Sequence, residues 1–205
     1  MEKLLIIISS PSGGGKTTIC KKLLSDNSSP LFEKAQFSIS ATTRKARGNE
    51  ANGVDYIFLS REEFEVKIKA NEFLEHANVF GNLYGSLKSE ISKTKHTIFD
   101  VDVAGHNQIK AQTEALSIFL LPPSLDVLKQ RVASRGDLKP EEIETRISTA
   151  PSEIMESCKY DYIIINNDIN QTFQAVCGII TSYLLKKNHT KLVHTKDFQN
   201  FVKTL

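Results

Sequence analysis

The segment from Leu4 to Thr18 constrains the fold more than any other part of the sequence. It reads LLIIISSPSGGGKTT, an apolar run that passes directly into a loop of small residues and ends in a lysine and two threonines. A short run with several β-branched residues before Pro, Ser and Gly is typical of a buried strand that ends in a loop. The residues that follow, KTTICKKLLS, are compatible with a helix. The segment therefore predicts a strand, a glycine-rich loop and a helix in direct succession.

The glycine-rich loop has the composition of a phosphate site. Glycines at 13–15 allow backbone N–H groups to approach a ligand closely, and the following helix adds the positive end of its dipole. The loop matches the pattern G-x-x-x-x-G-K-[ST], with Ser10 in place of the first glycine. In that pattern Lys16 reaches the β- and γ-phosphates of a nucleoside triphosphate, and the Thr17 hydroxyl binds Mg²⁺. The alternative is a glycine-rich surface turn before an ordinary helix, which the preceding strand makes less favourable.

Strand-like and helix-like runs alternate along most of the chain, which predicts an α/β fold with a parallel sheet and helices on both faces. Two segments break the alternation. Residues 36–92 contain short strands around one helix, which Ser60 and Glu63 open with a capping-box pattern, and this predicts a small α+β insertion. A polar stretch within residues 124–158, with Pro140 at a helix start, predicts a mobile helical flap.

Composition limits the class of protein. The chain has 205 residues and a net charge of +2, which suits one globular domain and does not indicate a nucleic-acid binder. No apolar run reaches the roughly 18 residues of a membrane span, so we expect a soluble, cytoplasmic protein. Cys20, Cys158 and Cys177 lack metal-ligand spacing and are expected to be reduced and partly buried. We expect the domain to end near residue 187 and residues 188–205 to form a basic, partly ordered tail.

The insertion carries a second group of basic residues. The stretch SISATTRKARGNEANGVDYIF places Arg44, Arg47 and Tyr56 in a loop between predicted strands. Arginine offers paired donors to phosphate oxygens, so these side chains suit a second phosphate. Alone, the segment would fit a solvated basic loop equally well.

Taken together, these motifs resemble the guanylate kinase family, the ATP:GMP phosphotransferases. The resemblance runs from about residue 4 to about 183 and rests on SPSGGGKTT, on the arginine loop, and on EFLEHANVFGNLYGS, FDVDVAG, PPSLDVLKQRVASRG and YDYIIINND, in that order. The chain departs from the family pattern at Ala46, where a proline is usual, at Asn49, where a glycine is usual, and at Ala104, where a glutamine is usual.

The resemblance implies a set of residues for each substrate. It places Ser12, Gly13, Gly14, Gly15, Lys16, Thr17, Thr18, Arg131, Asn166 and Asn167 around ATP, and Ser40, Arg44, Arg47, Tyr56, Glu75, Tyr84, Ser86 and Asp102 around GMP. Thr17 and Asp100 would meet the Mg²⁺ ion, while Lys16, Arg47, Arg135 and Arg146 would act in catalysis. Arg131, Arg135 and Arg146 belong to a lid that closes over the triphosphate in this family.

Several of these residues also have simpler explanations. A carboxylate accepts hydrogen bonds only, so Glu75 suits the N1–H and N2–H₂ donors of guanine, but it could be a solvated strand residue. Ser86 could cap a following helix, and Asp100 with Asp102 could cap neighbouring loops.

The resemblance implies a kinase that converts ATP and GMP, and also dGMP, into ADP and the guanosine diphosphate in purine nucleotide metabolism and GMP recycling. A kinase for AMP or CMP is one alternative. Another is a binding module, because kinase-like domains of scaffold proteins share this fold and bind peptides. The intact GGGKTT favours the enzyme. The sequence leaves the oligomeric state open.

Overall fold

We describe the protein from a computed structural model, which covers residues 3–25, 35–79, 81–92, 95–134 and 140–193, with the backbone path alone for residues 187–193. In chain order, the strands are β1 (Leu5–Ser9), β2 (Ala35–Phe37), β3 (Ser40–Thr42), β4 (Ile57–Phe58), β5 (Phe73–Val79), β6 (Asn82–Leu87), β7 (His96–Asp100), β8 (Leu116–Leu121) and β9 (Tyr162–Ile165). The helices are α1 (Lys16–Ser25), α2 (Arg61–Lys69), α3 (Val103–Gln112), α4 (Leu125–Ala133), α5 (Pro140–Met155) and α6 (Ile169–Val193).

The central sheet is parallel, with strand order β2-β7-β1-β8-β9. Side chains of β1 alternate between two hydrophobic clusters. Ile6 and Ile8 pack with residues of α1 and α6 on one face, whereas Ile7 packs with Ile109 of α3 on the other. Because both faces are covered, β1 is apolar along most of its length. The predicted α/β fold with helices on both faces is confirmed.

The insertion forms a second sheet, with strand order β4-β3-β6-β5. Helix α2 covers it through Phe64, whose ring stacks on Phe73 at a centroid distance of 4.3 Å. The predicted capping box is present, since the Ser60 hydroxyl accepts from the Glu63 backbone N–H and the Glu63 carboxylate accepts from the Ser60 backbone N–H. β2 lies in the central sheet, so the second sheet begins at residue 40 and not at the predicted boundary of 36.

Helices α4 and α5 lie beside the glycine-rich loop of residues 10–15, which we call the phosphate loop. Leu128 and Val132 of α4 pack with Ala150 of α5 in a small cluster of their own. Helix α5 begins at Pro140, as predicted, because proline at the first helical position has no N–H to lose.

The last helix is longer than the sequence indicated. Helix α6 continues to Val193, so the predicted boundary between domain and tail at residues 187 and 188 falls inside a helix. Residues 194–205, most of the predicted tail, lie outside the described residues. Within the described part of the chain, no helix has both the length and the apolar character that crossing a membrane requires.

Candidate active site

The phosphate loop joins β1 to α1 at the carboxyl end of the central sheet. Gly13 and Gly15 have φ values of 83° and 93°, a region that favours glycine. A Cβ at Gly15 would lie 2.2 Å from Nδ2 of Asn166. The Gly14 N–H donates to the Pro11 carbonyl over 2.9 Å, which closes the turn. The loop shape thus depends on these glycines.

Asn166, at the end of β9, holds this loop from outside. Its side-chain amide donates to the Gly14 carbonyl over 2.7 Å, and its carbonyl oxygen accepts from the Thr172 hydroxyl over 2.9 Å. Arg131 donates from both terminal nitrogens to the Asn166 backbone carbonyl at 3.3 Å. The predicted contact of Asn166 with ATP stays a prediction, while its buried side chain has a structural role as well. It positions the phosphate loop.

Lys16 and Thr17 meet Asp100 at the end of β7. Lys16 Nζ lies 2.7 Å from Asp100 Oδ1 and donates to the Val101 carbonyl over 2.9 Å. The Thr17 hydroxyl donates to Asp100 Oδ2 over 3.3 Å. Burial lowers the pKa of Lys16, but the attraction and hydrogen bond of Asp100 outweigh it, so the pKa is raised overall. Lys16 is therefore charged.

The residues around Thr17 are compatible with a magnesium ion. A hydroxyl and a carboxylate converge there, and such oxygen ligands suit Mg²⁺, which usually completes its shell with waters and phosphate oxygens. Across the described residues, no group of three or more His, Cys, Asp or Glu side chains is arranged to hold a metal ion. An ion here would thus depend on the nucleotide as well as on Thr17 and Asp100.

A cavity of about 710 Å³ lies between the phosphate loop, the second sheet and α5. Predicted residues that line it are Ser12, Gly13, Gly15, Lys16, Thr17, Ser40, Tyr56, Asp100, Asp102 and Arg146. The lining does not include Gly14 or Thr18, and the Thr18 side chain is exposed. The cavity brings most of the predicted ATP, GMP and metal residues to one place.

The arginine loop is organised by Glu50. Arg44 donates from both terminal nitrogens to the two Glu50 oxygens, at 2.9 and 3.0 Å. The Arg44 guanidinium also lies over the Tyr56 ring, 5.2 Å from its centroid, and Tyr56 contacts Tyr84 edge-on. Hydrogen bonds from Arg44 and from the backbone N–H of Arg47 lower the pKa of Glu50. Of the four basic and aromatic residues predicted around GMP, Arg44, Tyr56 and Tyr84 therefore form one cluster.

The fourth, Arg47, stands apart. Its side chain is exposed and lies outside the lining of the large cavity, and its catalytic role stays a prediction. Asn49 stands where the family usually has glycine, yet only Asn71 has a positive φ among the described non-glycine residues. Gly48 supplies the positive φ of this turn, so Asn49 causes no backbone strain.

Glu75 and Ser86 form a buried pair on β5 and β6. The Ser86 hydroxyl donates to Glu75 Oε1 over 2.7 Å, and Ser40 lies opposite Ser86 on β3. These residues are not explained by the simpler alternatives, because Glu75 is buried and Ser86 lies in a strand without capping a helix. Burial raises the pKa of Glu75 to about 7, although the Ser86 hydrogen bond acts in the opposite direction. A smaller cavity of about 120 Å³ gives access to the Glu75 carboxylate.

Asp102 can both cap a neighbouring segment and face a ligand, the two roles that the sequence allowed. Its side chain caps α3 by accepting from the Gly105 N–H over 2.8 Å. It also lines both cavities. The second carboxylate oxygen can therefore face a ligand while the first holds the helix.

Of the three predicted lid arginines, two are described, and they lie in different places. Arg146 of α5 donates to the Ser12 hydroxyl over 2.9 Å and lines the large cavity. Arg131 contacts Asn166 as described, and Arg135 lies outside the described residues. Asn167 is exposed beyond the end of β9.

With this geometry in view, comparison with known proteins decides the family. A family model of guanylate kinases matches residues 2–183. This chain belongs to the guanylate kinase family. The guanylate kinase of Rickettsia bellii is 43% identical over 190 residues, which span 90% of this chain and 97% of the relative. That of Clostridioides difficile is 41% identical over 201 residues, which span 96% of each chain.

A solved structure agrees. The crystal structure of guanylate kinase from Anaplasma phagocytophilum matches with a TM-score of 0.69 and 32% identity, over 88% of this chain and 86% of that one. The predicted enzyme is therefore confirmed as a guanylate kinase, a phosphotransferase that converts ATP and GMP into ADP and GDP.

Sequence reasoning missed three residues that line the large cavity from α5: Thr145, Thr149 and Glu153. A signal was present, because Thr149 and Glu153 lie three and seven positions after Arg146. Residues at this spacing share one face of a helix. Once Arg146 was assigned to the site, helical spacing could have added the others.

Proposed function

We propose that the large cavity is the place where this guanylate kinase transfers the γ-phosphate of ATP to GMP. One observation carries the proposal, namely that Lys16 of the phosphate loop, Tyr56 of the second sheet and Arg146 of α5 line the same cavity. Phosphoryl transfer requires mainly positioning and positive charge around the transferred group. The phosphate loop, on which ATP would bind, and the second sheet, on which GMP would bind, both line this cavity.

ATP would bind with its phosphates against the backbone N–H groups of the phosphate loop. Lys16 would then leave Asp100 and contact the β- and γ-phosphates, which frees Asp100 Oδ1 to face the metal site. Thr17 and Asp100 are the residues that would hold Mg²⁺, directly or through water. When bound, the ion neutralises charge on the β- and γ-phosphate oxygens. Arg146, which already contacts the loop at Ser12, would add positive charge near the γ-phosphate.

GMP would bind against the second sheet. Arg44, Tyr56 and Tyr84 would contact its phosphate, with Arg47 reaching it only after its exposed side chain turns inward. The Glu75 carboxylate would accept from guanine N1–H and N2–H₂, while Ser40 and Ser86 line the base. Adenine and cytosine lack that pair of adjacent donors, and this favours GMP over the alternative acceptors AMP and CMP.

Helix α5 would exclude water from the reacting phosphate. Water is a competing acceptor, so a covered site favours transfer to GMP over ATP hydrolysis. We also propose a cytoplasmic enzyme that accepts dGMP as well as GMP and acts on free nucleotides and not on nucleic acid, in keeping with its net charge of +2.

The test is the rate of ADP release from ATP with AMP, GMP, CMP or UMP as the acceptor. We expect GMP to give by far the highest kcat/KM and ADP release to require Mg²⁺. Equal rates with all four acceptors, or with none present, would contradict the proposed acceptor site. GMP binding without any turnover would instead favour the binding module.

A further inference from the structure

Helix α5 presents one acidic side chain to the large cavity. Its inner face carries Thr145, Arg146, Thr149 and Glu153, all of which line the cavity. Arg146 suits a polyanionic nucleotide, but a carboxylate on the same face would repel phosphates. A contact between Glu153 and the substrates would therefore involve a group other than phosphate.

Glu153 is partly buried and open to the cavity. Its charged neighbours are Asp102, Lys16 and Arg146, and burial together with Asp102 raises its pKa. Yet among the described residues none makes a hydrogen bond or an ion pair with the Glu153 carboxylate. A partly desolvated carboxylate without hydrogen bonds is unfavourable, so a bound ligand that donates to it would be stabilised.

The position of Glu153 indicates which substrate it faces. Its neighbour Asp102 lines both cavities, and the second of these contains Glu75. Arg146 contacts the phosphate loop at Ser12, and Glu153 lies seven residues further along the same face of α5. Seven residues of helix span about 10 Å, so Glu153 lines the cavity away from that contact, on the side of Asp102.

Few groups of the acceptor nucleotide can donate to a carboxylate. The phosphate oxygens are acceptors, and the N1–H and N2–H₂ edge of guanine is assigned to Glu75. A metal ion is assigned to Thr17 and Asp100. The sugar hydroxyls remain, and each is a hydrogen-bond donor.

We propose that Glu153 accepts a hydrogen bond from a ribose hydroxyl of the acceptor nucleotide and so makes the enzyme prefer GMP to the deoxy analogue that lacks that hydroxyl. The inference rests on the proposed placement of GMP and adds a specificity-determining residue to it. Arg146 and Glu153 would then divide the inner face of α5, one contacting phosphates and the other the sugar.

The experiment compares kcat/KM for GMP, 2′-deoxy-GMP and 3′-deoxy-GMP in the wild type, in Glu153→Ala and in Glu153→Gln. A hydrogen bond to a charged group predicts that the wild type prefers GMP about tenfold or more over one of the deoxy analogues. In Glu153→Ala this preference should disappear because GMP is slowed, while that analogue is nearly unaffected. Glu153→Gln keeps an acceptor oxygen and should retain part of the preference.

Glu144→Gln is the matched control, because Glu144 lies on the same helix but is exposed and does not line the cavity. It should leave all three values unchanged. Equal slowing of all three nucleotides in Glu153→Ala, no slowing, or a wild type without any preference would each overturn the proposal. Failure of the wild type to phosphorylate GMP would instead refute the proposed function, so the two failures are distinguishable.

Discussion

Glu75 illustrates how a single buried carboxylate can select a base. It lies beneath the smaller cavity, it has one short hydrogen bond from Ser86, and its own burial disfavours the charged form. Guanine would provide the two donors that the ionised carboxylate lacks. The side chain is thus poorly satisfied until the correct base arrives.

Replacing Glu75 with glutamine tests this selection. Glu75→Gln places an amide donor against a guanine donor, and loss of the charged pair should cost on the order of 2–4 kcal/mol with GMP. AMP lacks these donors and should be affected far less. The quantity to measure is the ratio of kcat/KM for GMP to that for AMP, with the exposed Glu72→Gln as a control on the same hairpin. An unchanged ratio would show that guanine is read elsewhere.

The pKa of Glu75 predicts a pH dependence. Because it is raised to about 7, the free enzyme holds a proton there at lower pH, and guanine must displace it. GMP affinity should therefore be full well above pH 7 and should weaken by up to about tenfold per unit below it. Folding stability changes with pH in the opposite direction. Glu75 stabilises the ligand-free protein most below the pKa that a glutamate has in the unfolded chain, and this stabilisation is lost as the pH rises through 7. Titration of GMP binding by calorimetry between pH 5.5 and 8.5 measures the first effect. Glu75→Gln should abolish it.

Lys16 is the residue on which transfer depends most. Lys16→Met should leave a folded protein with turnover reduced by more than about tenfold, because the β- and γ-phosphates lose their point charge. Thermal unfolding of the variant measures the fold, and the initial rate of ADP release with GMP measures the reaction. The exposed Lys69→Met variant on α2 removes an equal charge outside both cavities and should retain most of the activity. Turnover above about a tenth of the wild-type kcat would refute the role of Lys16, since the lost stabilisation would be under about 1.4 kcal/mol.

At the scale of the elements, α5 connects the phosphate loop to the acceptor side of the cavity. Its Arg146 reaches Ser12 near one end, while Glu153 stands two turns further along the same face. The cluster of Leu128, Val132 and Ala150 fixes the helix on α4. Helix α5 can therefore place opposite charges on opposite parts of one cavity.

Arg146→Ala tests this element. Loss of the guanidinium should lower kcat for GMP phosphorylation by at least about tenfold, the usual scale for a charge that contacts the transferred group. It should also raise ATP hydrolysis relative to transfer, because the cover over the phosphates is weakened. Both products can be followed in one reaction, as phosphate release and GDP formation. Arg61→Ala, on the exposed side of α2, should change neither. A wild-type kcat together with a wild-type ratio of ATP hydrolysis to GDP formation would show that Arg146 takes no part in the reaction.

The elements themselves were largely predictable, and their contacts were not. The strand, loop and helix at residues 4–18 and the capping box at Ser60 followed from local patterns, because glycine, capping residues and apolar periodicity act over a few positions. The resemblance places Asn166 around ATP, and nothing in its sequence neighbourhood shows that its amide reaches Gly14. Likewise β2 is three residues long, and the sequence pattern groups it with the insertion, although its pairing with β7 places it in the central sheet. Long-range pairing has no local signature.

At the scale of the whole molecule, α6 closes the central core. Val176, Ile180 and Leu184 are buried against the sheet and α1. The family match ends at residue 183, next to the last of these. The described core therefore includes α6 as far as Leu184, and the chain beyond it can be tested separately.

Two truncations separate these parts. A chain that ends at residue 193 should keep nearly the same melting temperature and turnover, because every buried residue of the described core is retained. A chain that ends at Ile179 loses Ile180 and Leu184 and should be destabilised by several kcal/mol, since each buried aliphatic side chain contributes roughly 2–5 kcal/mol. Thermal unfolding measures the stability of each truncated chain, and the GMP-dependent rate of ADP release measures its activity. A large loss in the longer chain would show that residues 194–205 bind the body of the enzyme or a second copy.

The hydrogen bond between Asn166 and Gly14 also has a consequence for synthesis on the ribosome. The two residues are 152 positions apart, so the complete phosphate-loop motif is translated well before the side chain that supports it. β9 and Thr172, which orient that side chain, are translated at the same late stage. A nascent chain arrested before Asn166 would carry every glycine and the lysine of the motif, yet it would lack the amide that fixes their shape. The phosphate loop is therefore expected to reach its nucleotide-binding shape only after β9 has been translated.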